Sequence, residues 1–296
     1  MTARLSVVVV VHDMQREAPR TLLSLSPHYQ RGVAPEEYEV LVVENASPRM
    51  LGEAAVSEFG ASFRYLVAPE PAGSPACALN AGVRASAAPA LGLMIDGARM
   101  VTPGAVSLAL RCLELYPRAV IGTAGMHLGP DQQQRSVAHG YSGETEDGLL
   151  ESVGWPADGD RLWEIGATSG SSGAGVTAPL AESCLLFMPR AIFEELGGYD
   201  ERFCSPGGGL VNLDLYRRAS ELPDIEWMTL IGEATFHQLH GGVTTSTPES
   251  ELPGLLGGFH GEYERLRGQP YVIPHRSALF VGHVSPPARR WYGSRG

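Results

Sequence analysis

Five consecutive valines at residues 7–11 constrain this chain more than any other feature. β-Branched side chains lose rotamer freedom in a helix and fit the pleated surface of a strand. An apolar run without alternation belongs to a strand buried on both faces, the kind found in parallel sheets covered by helices. The rest of the first 116 residues keeps the same pattern. Runs at 38–43, 63–67 and 91–95 read as further strands; segments 20–29, 49–59, 75–87 and 103–116 read as helices, the first with Pro19 near its opening turn. Strands and helices alternating at this spacing predict βαβ units and a mainly parallel sheet. Ligands on such sheets bind beyond the carboxyl ends of the strands, which here carry His12, Asp13, Glu44, Asn45, Asp96 and Gly97.

Beyond residue 127 the pattern loosens. Residues 127–180 are rich in Gly, Ser, Asp and Gln, and the stretch ATSGSSGAGVT at 167–177 is expected to be a mobile loop, a lid or acceptor-side element. Order returns with a strand at 183–188, a helix at 190–196, a helix at 210–220 after the glycines 207–209, a strand at 225–230 and a helix near 255–267. Trp155 and Trp163 lie in the loose region, where an indole can stack on a sugar ring or fill core. The expected organisation is an ordered half at 1–126 and a looser half at 127–296 that ends in a C-terminal extension.

Composition removes several function classes. A chain of 296 residues fits one large domain. A net charge of −11 with no basic run argues against nucleic acid as a partner. All 22 basic residues are arginine, so P-loop and Schiff-base lysine chemistry is excluded, and the Ala/Gly/Arg-rich balance suggests a bacterial source of high GC content. The first strand lacks a GxGxxG turn, which disfavours a dinucleotide-dependent dehydrogenase. Any bound phosphate must then be met by arginine, a helix N-terminus or a metal ion. Cys77, Cys112, Cys184 and Cys204 form no CxxC pair, and no apolar run approaches the ~20 residues of a transmembrane segment. With no leader pattern visible, the expected location is the cytoplasm, which leaves work at a membrane surface open.

Four segments then fall in a telling order: SVVVVVHD at 6–13, EVLVVENASP at 39–48, PAGSPACALNAGVRAS at 71–86 and LGLMIDGARMVTPG at 91–104. ELGGYDERF at 195–203 and NLDLYRRA at 212–219 follow. In this order the chain resembles the family 2 glycosyltransferases over roughly residues 5–242. The resemblance implies the GT-A fold, an α/β, Rossmann-like, mainly parallel mixed sheet flanked by helices. It implies transfer of a sugar from a nucleoside-diphosphate sugar donor to an acceptor hydroxyl, with inversion and a divalent metal, Mn2+ or Mg2+. The acceptor is a saccharide, a natural product or a lipid-linked species, held by residues 128–180 and the tail. Carried over by position, Val10, His12 and Glu44 line the nucleoside pocket. Asn80 and its helix help hold the donor, and Asp96, with Gly97 and Ala98 beside it, meets metal and diphosphate.

Two positions depart from the family pattern. Its metal motif carries a second aspartate where this chain has Ala98, followed by Arg99. Another ligand is needed, and TFHQLHGG at 235–242 offers His237 and His240, whose spacing of three would put both on one side of a helix. Imidazole suits Mn2+ better than Mg2+. The family's general base lies in a Glu-Asp pair that falls here on Val211 and Asn212, and an amide cannot take a proton. The remaining candidate bases are Asp214 and Glu182. These departures leave a second reading, a catalytically impaired sugar-nucleotide-binding protein of the same fold. A nucleotidyltransferase would need a Gly-rich loop and a lysine, and a pure interaction module would need no strand-end cluster.

Overall fold

The computed structural model describes residues 3–70 and 72–293. The valine run forms β1 (Leu5–Val11), buried along its whole length. Alternate residues serve opposite faces: Val8 and Val10 join one apolar core, and Val7, Val9 and Val11 join the other. β2 (Tyr38–Glu44), β3 (Phe63–Val67) and β4 (Ala90–Met94) add to the sheet in parallel, with β1 between β2 and β4. Helices α1 (Ala18–Ser24), α2 (Glu53–Ser57), α3 (Ala76–Ala85) and the later α4 (Ala105–Leu115) connect and cover them. The expected strands and helices of this half are all present, though the helix expected over 20–29 ends at Ser24 and that over 49–59 shortens to Glu53–Ser57.

The remainder does not form a separate layer. β5 (Arg99–Val101) follows β4 directly, and β6 (Ala119–Leu128) is a fully buried strand that the sequence pattern does not single out. β7 (Gly166–Thr168), β8 (Leu185–Pro189), β9 (Glu226–His237) and β10 (Leu279–Gly282) complete a ten-stranded sheet in the order β10-β9-β6-β8-β4-β1-β2-β3. β5 pairs with β9, and β7 pairs with β6. β8 runs antiparallel to both β4 and β6, so the sheet is mixed. The division expected at residue 126 falls inside β6, and hydrogen bonding runs unbroken across it. Helices α5 (Gln133–Ala138), α6 (Gly143–Ser152), α7 (Arg190–Glu195), α8 (Val211–Glu221), α9 (Leu252–Arg267) and α10 (Arg289–Tyr292) cover this half.

The stretch 167–177 lies against β6: Ser169 N–H donates to the Gly125 carbonyl at 3.1 Å, and Ser172 and Val176 are buried. Trp163 is core, fully buried with its ring edge-on to Phe236 and Tyr292. Trp155 rests against Tyr29. One glycine bears directly on the site. A Cβ at Gly97 would sit 2.5 Å from a Val11 methyl and 2.8 Å from the Val10 carbonyl, so only glycine lets the chain beyond β4 close against β1. No described helix is long and apolar enough to cross a membrane.

Candidate donor and metal site

Asp96 stands two residues beyond β4, at the carboxyl edge of the sheet. β5 turns back from it and pairs antiparallel with β9, setting Arg99 opposite His237. On the other side of β9, His127 of β6 is the parallel partner of His237. Three strand ends therefore deliver Arg99, His237 and His127 side by side, in front of Asp96. His237 closes β9 and His240 sits in the loop after it, so the two imidazoles converge through a strand-end turn and not along a helix.

The distances define a compact cluster. His237 Nε2 lies 3.0 Å from Asp96 Oδ2, and His240 Nε2 lies 3.6 Å from Asp96 Oδ1. The two Nε2 atoms are 2.9 Å apart. Asp96, His237 and His240 each offer a ligand atom, all within 4.8 Å of one another. Asp96 Oδ1 also accepts from the Ala98 N–H at 3.0 Å, and Oδ2 accepts from Arg99 Nε at 3.2 Å.

Gln133, on α5, fixes the state of His237. Its amide nitrogen donates to the His237 carbonyl at 3.2 Å, which leaves its Oε1 to accept from His237 Nδ1 at 2.6 Å. With the proton on Nδ1, Nε2 carries a free lone pair aimed at Asp96 and His240. This is the arrangement by which a ligating histidine has its tautomer and orientation set from outside. Burial, followed by the nearby Arg99, pushes His237 down to about 4, so the ring is neutral at pH 7. Burial also works against charge on His240, but Asp96 outweighs it and raises that ring. Burial alone would raise Asp96; its neighbours, His240 foremost, hold it well below the ordinary carboxylate range. The cluster thus sets an ionised carboxylate beside a neutral His237, with His240 biased toward its charged form by Asp96.

A carboxylate and two imidazoles within reach of one point fit a divalent transition ion. They fit Mn2+ better than Mg2+, which prefers oxygen ligands in an octahedron. The second aspartate could not have been restored simply at position 98: the Ala98 side chain is fully buried in apolar core, and its carbonyl accepts from Gln238 N–H at 2.9 Å.

Other expected site residues are placed as follows. Val10 is core, 3% exposed. His12 is exposed at the end of β1, with Nδ1 2.7 Å from the Asn45 carbonyl. Glu44 is buried, accepting from Ser47, the Leu51 N–H and Tyr65 OH, so it organises the loop after β2. Asn80 spends its amide on the GGYDERF turn, bonding both backbone groups of Tyr199 and the Glu201 carboxylate. Asn45, by contrast, clamps the backbone of Ala72 and Ser74 near the strand ends.

The two candidate bases differ sharply. Asp214 is fully buried, and its oxygens accept from Arg218 Nε at 2.8 Å and from Arg267 at 2.5 and 2.7 Å. Glu182 is half-buried ahead of β8. Its Oε2 accepts from Asn212 Nδ2 at 2.9 Å, and among the described residues no hydrogen bond engages Oε1. Asn212 is itself pinned by the Ser183 carbonyl and by Tyr199 OH. The amide at the family's base position therefore holds another carboxylate in place.

Sequence reasoning misses Gln133, whose run of three glutamines carries no signal, and His127, which a correct reading of β6 would expose as a strand-end histidine. A cavity of about 830 Å³ opens on the far side of α5, lined by Arg135, His139, Tyr141, Ile165 and Trp291 among others. Another, of about 800 Å³, is lined by Asn80, Arg190, Tyr199 and Arg267 and shares no residue with the Asp96 cluster.

No family model matches the sequence, and neither does any curated protein. Solved structures do match. S. aureus TarS 1–349 in complex with UDP-GlcNAc gives a TM-score of 0.53 at 12% identity, covering 89% of this chain and 67% of that one. S. aureus TarS gives a TM-score of 0.52 at 11% identity, again over 89% of this chain. The chain spans 44% of that protein's length. The matching structures are glycosyltransferases of GT-A type. The fold is GT-A. At these identities the likeness speaks for architecture and not for substrate.

Proposed function

We propose that this protein is a family 2 type glycosyltransferase that moves a sugar from a nucleoside diphosphate to an acceptor hydroxyl. The observation that carries the reading is the Asp96, His237 and His240 cluster at the carboxyl edge of a GT-A sheet, with Gln133 holding the His237 lone pair toward it. A divalent ion held there by these three residues would neutralise the diphosphate as a Lewis acid. UDP and UDP-GlcNAc, which TarS 1–349 binds, are the first donors to try.

The chain's own residues supply the rest. Glu182, steadied by Asn212, takes the proton from the acceptor hydroxyl as its oxygen attacks the anomeric carbon. The bond from that carbon to the diphosphate oxygen breaks, and the nucleoside diphosphate leaves, with inversion. Residues 1–126 serve the donor, joined there by Gln133, His237 and His240, and the rest of 127–296 serves the acceptor. His12, exposed at the end of β1, faces the nucleoside.

Calorimetry of the pure protein with UDP, GDP and dTDP in Mn2+ tests the reading. Binding of one of them, lost in Asp96→Ala, is expected; absence of binding to all three overturns it. The loss of a carboxylate at Asn212 keeps one rival alive, a sugar-nucleotide-binding protein without turnover. Slow hydrolysis of the bound donor separates the two.

A further inference from the structure

Arg99 stands where a GT-A site would be expected to gain acidity, and its surroundings do not use it up. It opens β5 opposite His237, with a side chain only 12% exposed. Nε donates to Asp96 Oδ2 at 3.2 Å, but Nη1 is buried with no hydrogen-bond partner. The guanidinium is a permanent cation. A buried, charged N–H without an acceptor is a costly state that folding alone does not require. Arg218 and Arg267 show the contrast, spending their donors on Asp214, on Asp200 and on the Leu196 and Gly198 carbonyls; Arg20 Nη1, also buried without a hydrogen bond, lies 3.6 Å from the Glu146 carboxylate.

Charge adds to this. Asp96 and Arg99 form a pair of opposite charges. A site built on two aspartates repels a diphosphate until a divalent ion arrives. This one does not, because a fixed cation already stands beside the carboxylate.

We infer that Arg99 is a diphosphate-binding residue, its free Nη1 edge donating to the donor's phosphate oxygens, so that nucleotide binding keeps a component independent of metal. The inference rests on the donor-site reading above. A guanidinium presents parallel donors that match phosphate geometry, and a charge-assisted pair of this kind strengthens binding by on the order of tenfold to a hundredfold. The metal then adds to an existing anion site. The lysine-free composition fits, since arginine is the only side chain left for this task.

The test is calorimetric titration of UDP and of uridine, each in Mn2+ and in chelator, into wild type, Arg99→Gln and Arg99→Lys, with thermal melting to show that each variant is folded. Wild type is expected to bind UDP in chelator, more weakly than in Mn2+. Arg99→Gln should lose about tenfold or more of that metal-free affinity while binding uridine unchanged, and Arg99→Lys should recover part of it. Equal metal-free UDP affinity in wild type and Arg99→Gln overturns the inference and leaves the donor site standing. So does an equal loss for UDP and uridine, which would mark a structural role. If wild type binds no UDP even in Mn2+ and also ignores GDP and dTDP, the underlying reading fails instead. Should Arg99→Gln not fold, Arg99→Lys decides: a fall in metal-free UDP affinity with uridine unchanged supports the inference, and no fall overturns it.

Discussion

Asp96, partly buried, and Asp214, fully buried, both stand next to arginines, and they have opposite characters. Asp214 is wholly enclosed and bonded by two guanidiniums. Asp96 keeps 18% of its side chain exposed and faces one arginine with a free edge and two imidazoles whose Nε2 atoms converge on it. Saturation separates the two. A carboxylate whose partners are all supplied by the fold has nothing to offer a ligand, whereas one surrounded by groups with lone pairs and protons to spare is arranged for something that comes from outside. Glu182 belongs with Asp96, since only one of its oxygens is engaged.

The largest expected effect falls on the choice between the two candidate bases. Glu182→Gln should lower sugar transfer by about 10²- to 10⁴-fold with donor affinity intact. Steady-state kinetics beside calorimetry reads both. A folded Asp214→Asn that loses transfer as fully, while Glu182→Gln does not, would break the comparison.

Stability runs the other way. Asp214→Asn leaves Arg218 and Arg267 buried beside a neutral amide and should cost about 3–5 kcal/mol. Asp96→Asn keeps an acceptor for the Ala98 N–H and breaks the ion pair of one arginine where Asp214→Asn breaks those of two, so it should cost the less of the two. Urea unfolding measures the difference; equal losses would mean that Asp96 is structural too.

Gln133→Leu removes the acceptor that keeps the His237 proton on Nδ1. Mn2+ affinity should fall by about 10- to 100-fold, with little change in metal-free UDP binding. Unchanged Mn2+ affinity would remove Gln133 and His237 from the metal site.

A third carboxylate sharpens the comparison. Glu233, at the irregular point of β9, accepts from the Gly104 N–H at 3.0 Å but has no direct ion pair among the described residues; Arg31 and Asp160 are the charged groups near it. Burial pushes it up to about 7. The folded protein therefore holds a proton that the unfolded chain has released between about pH 4.5 and 7, so this group's stabilisation is present at the acid end and lost as pH rises. The change is on the order of 3 kcal/mol. Glu233→Gln should flatten stability across that window; an unchanged slope would show that the carboxyl is already ionised.

Much of the fold could be read directly from the sequence, because β1, β2 and β4 are β-branched or apolar runs whose lengths match their burial. β6 could not. Its AVIGTAGMHL has the small, mixed composition of a loop, and it becomes a strand because β8 and β9 close on it. The same limit applied within the site. Asp96 and the histidines followed from strand ends and motif order. The roles of Asp214 and Glu182 did not, since one depends on Arg267, 53 residues on, and the other on Asn212, 30 residues on. Asn80 and Glu44 are polar residues at suggestive places whose hydrogen bonds are taken up by neighbouring loops.

Electron–nuclear double resonance of Mn2+ bound to the protein together with UDP asks the question most directly. The expected spectrum carries 31P coupling from the diphosphate and 14N coupling from His237 and His240 on the same ion, with the 14N signal gone in the His237→Ala, His240→Ala double variant. A spectrum with 31P coupling and no 14N coupling, the same as Mn2+ and UDP in buffer, would contradict the Asp96, His237 and His240 metal site.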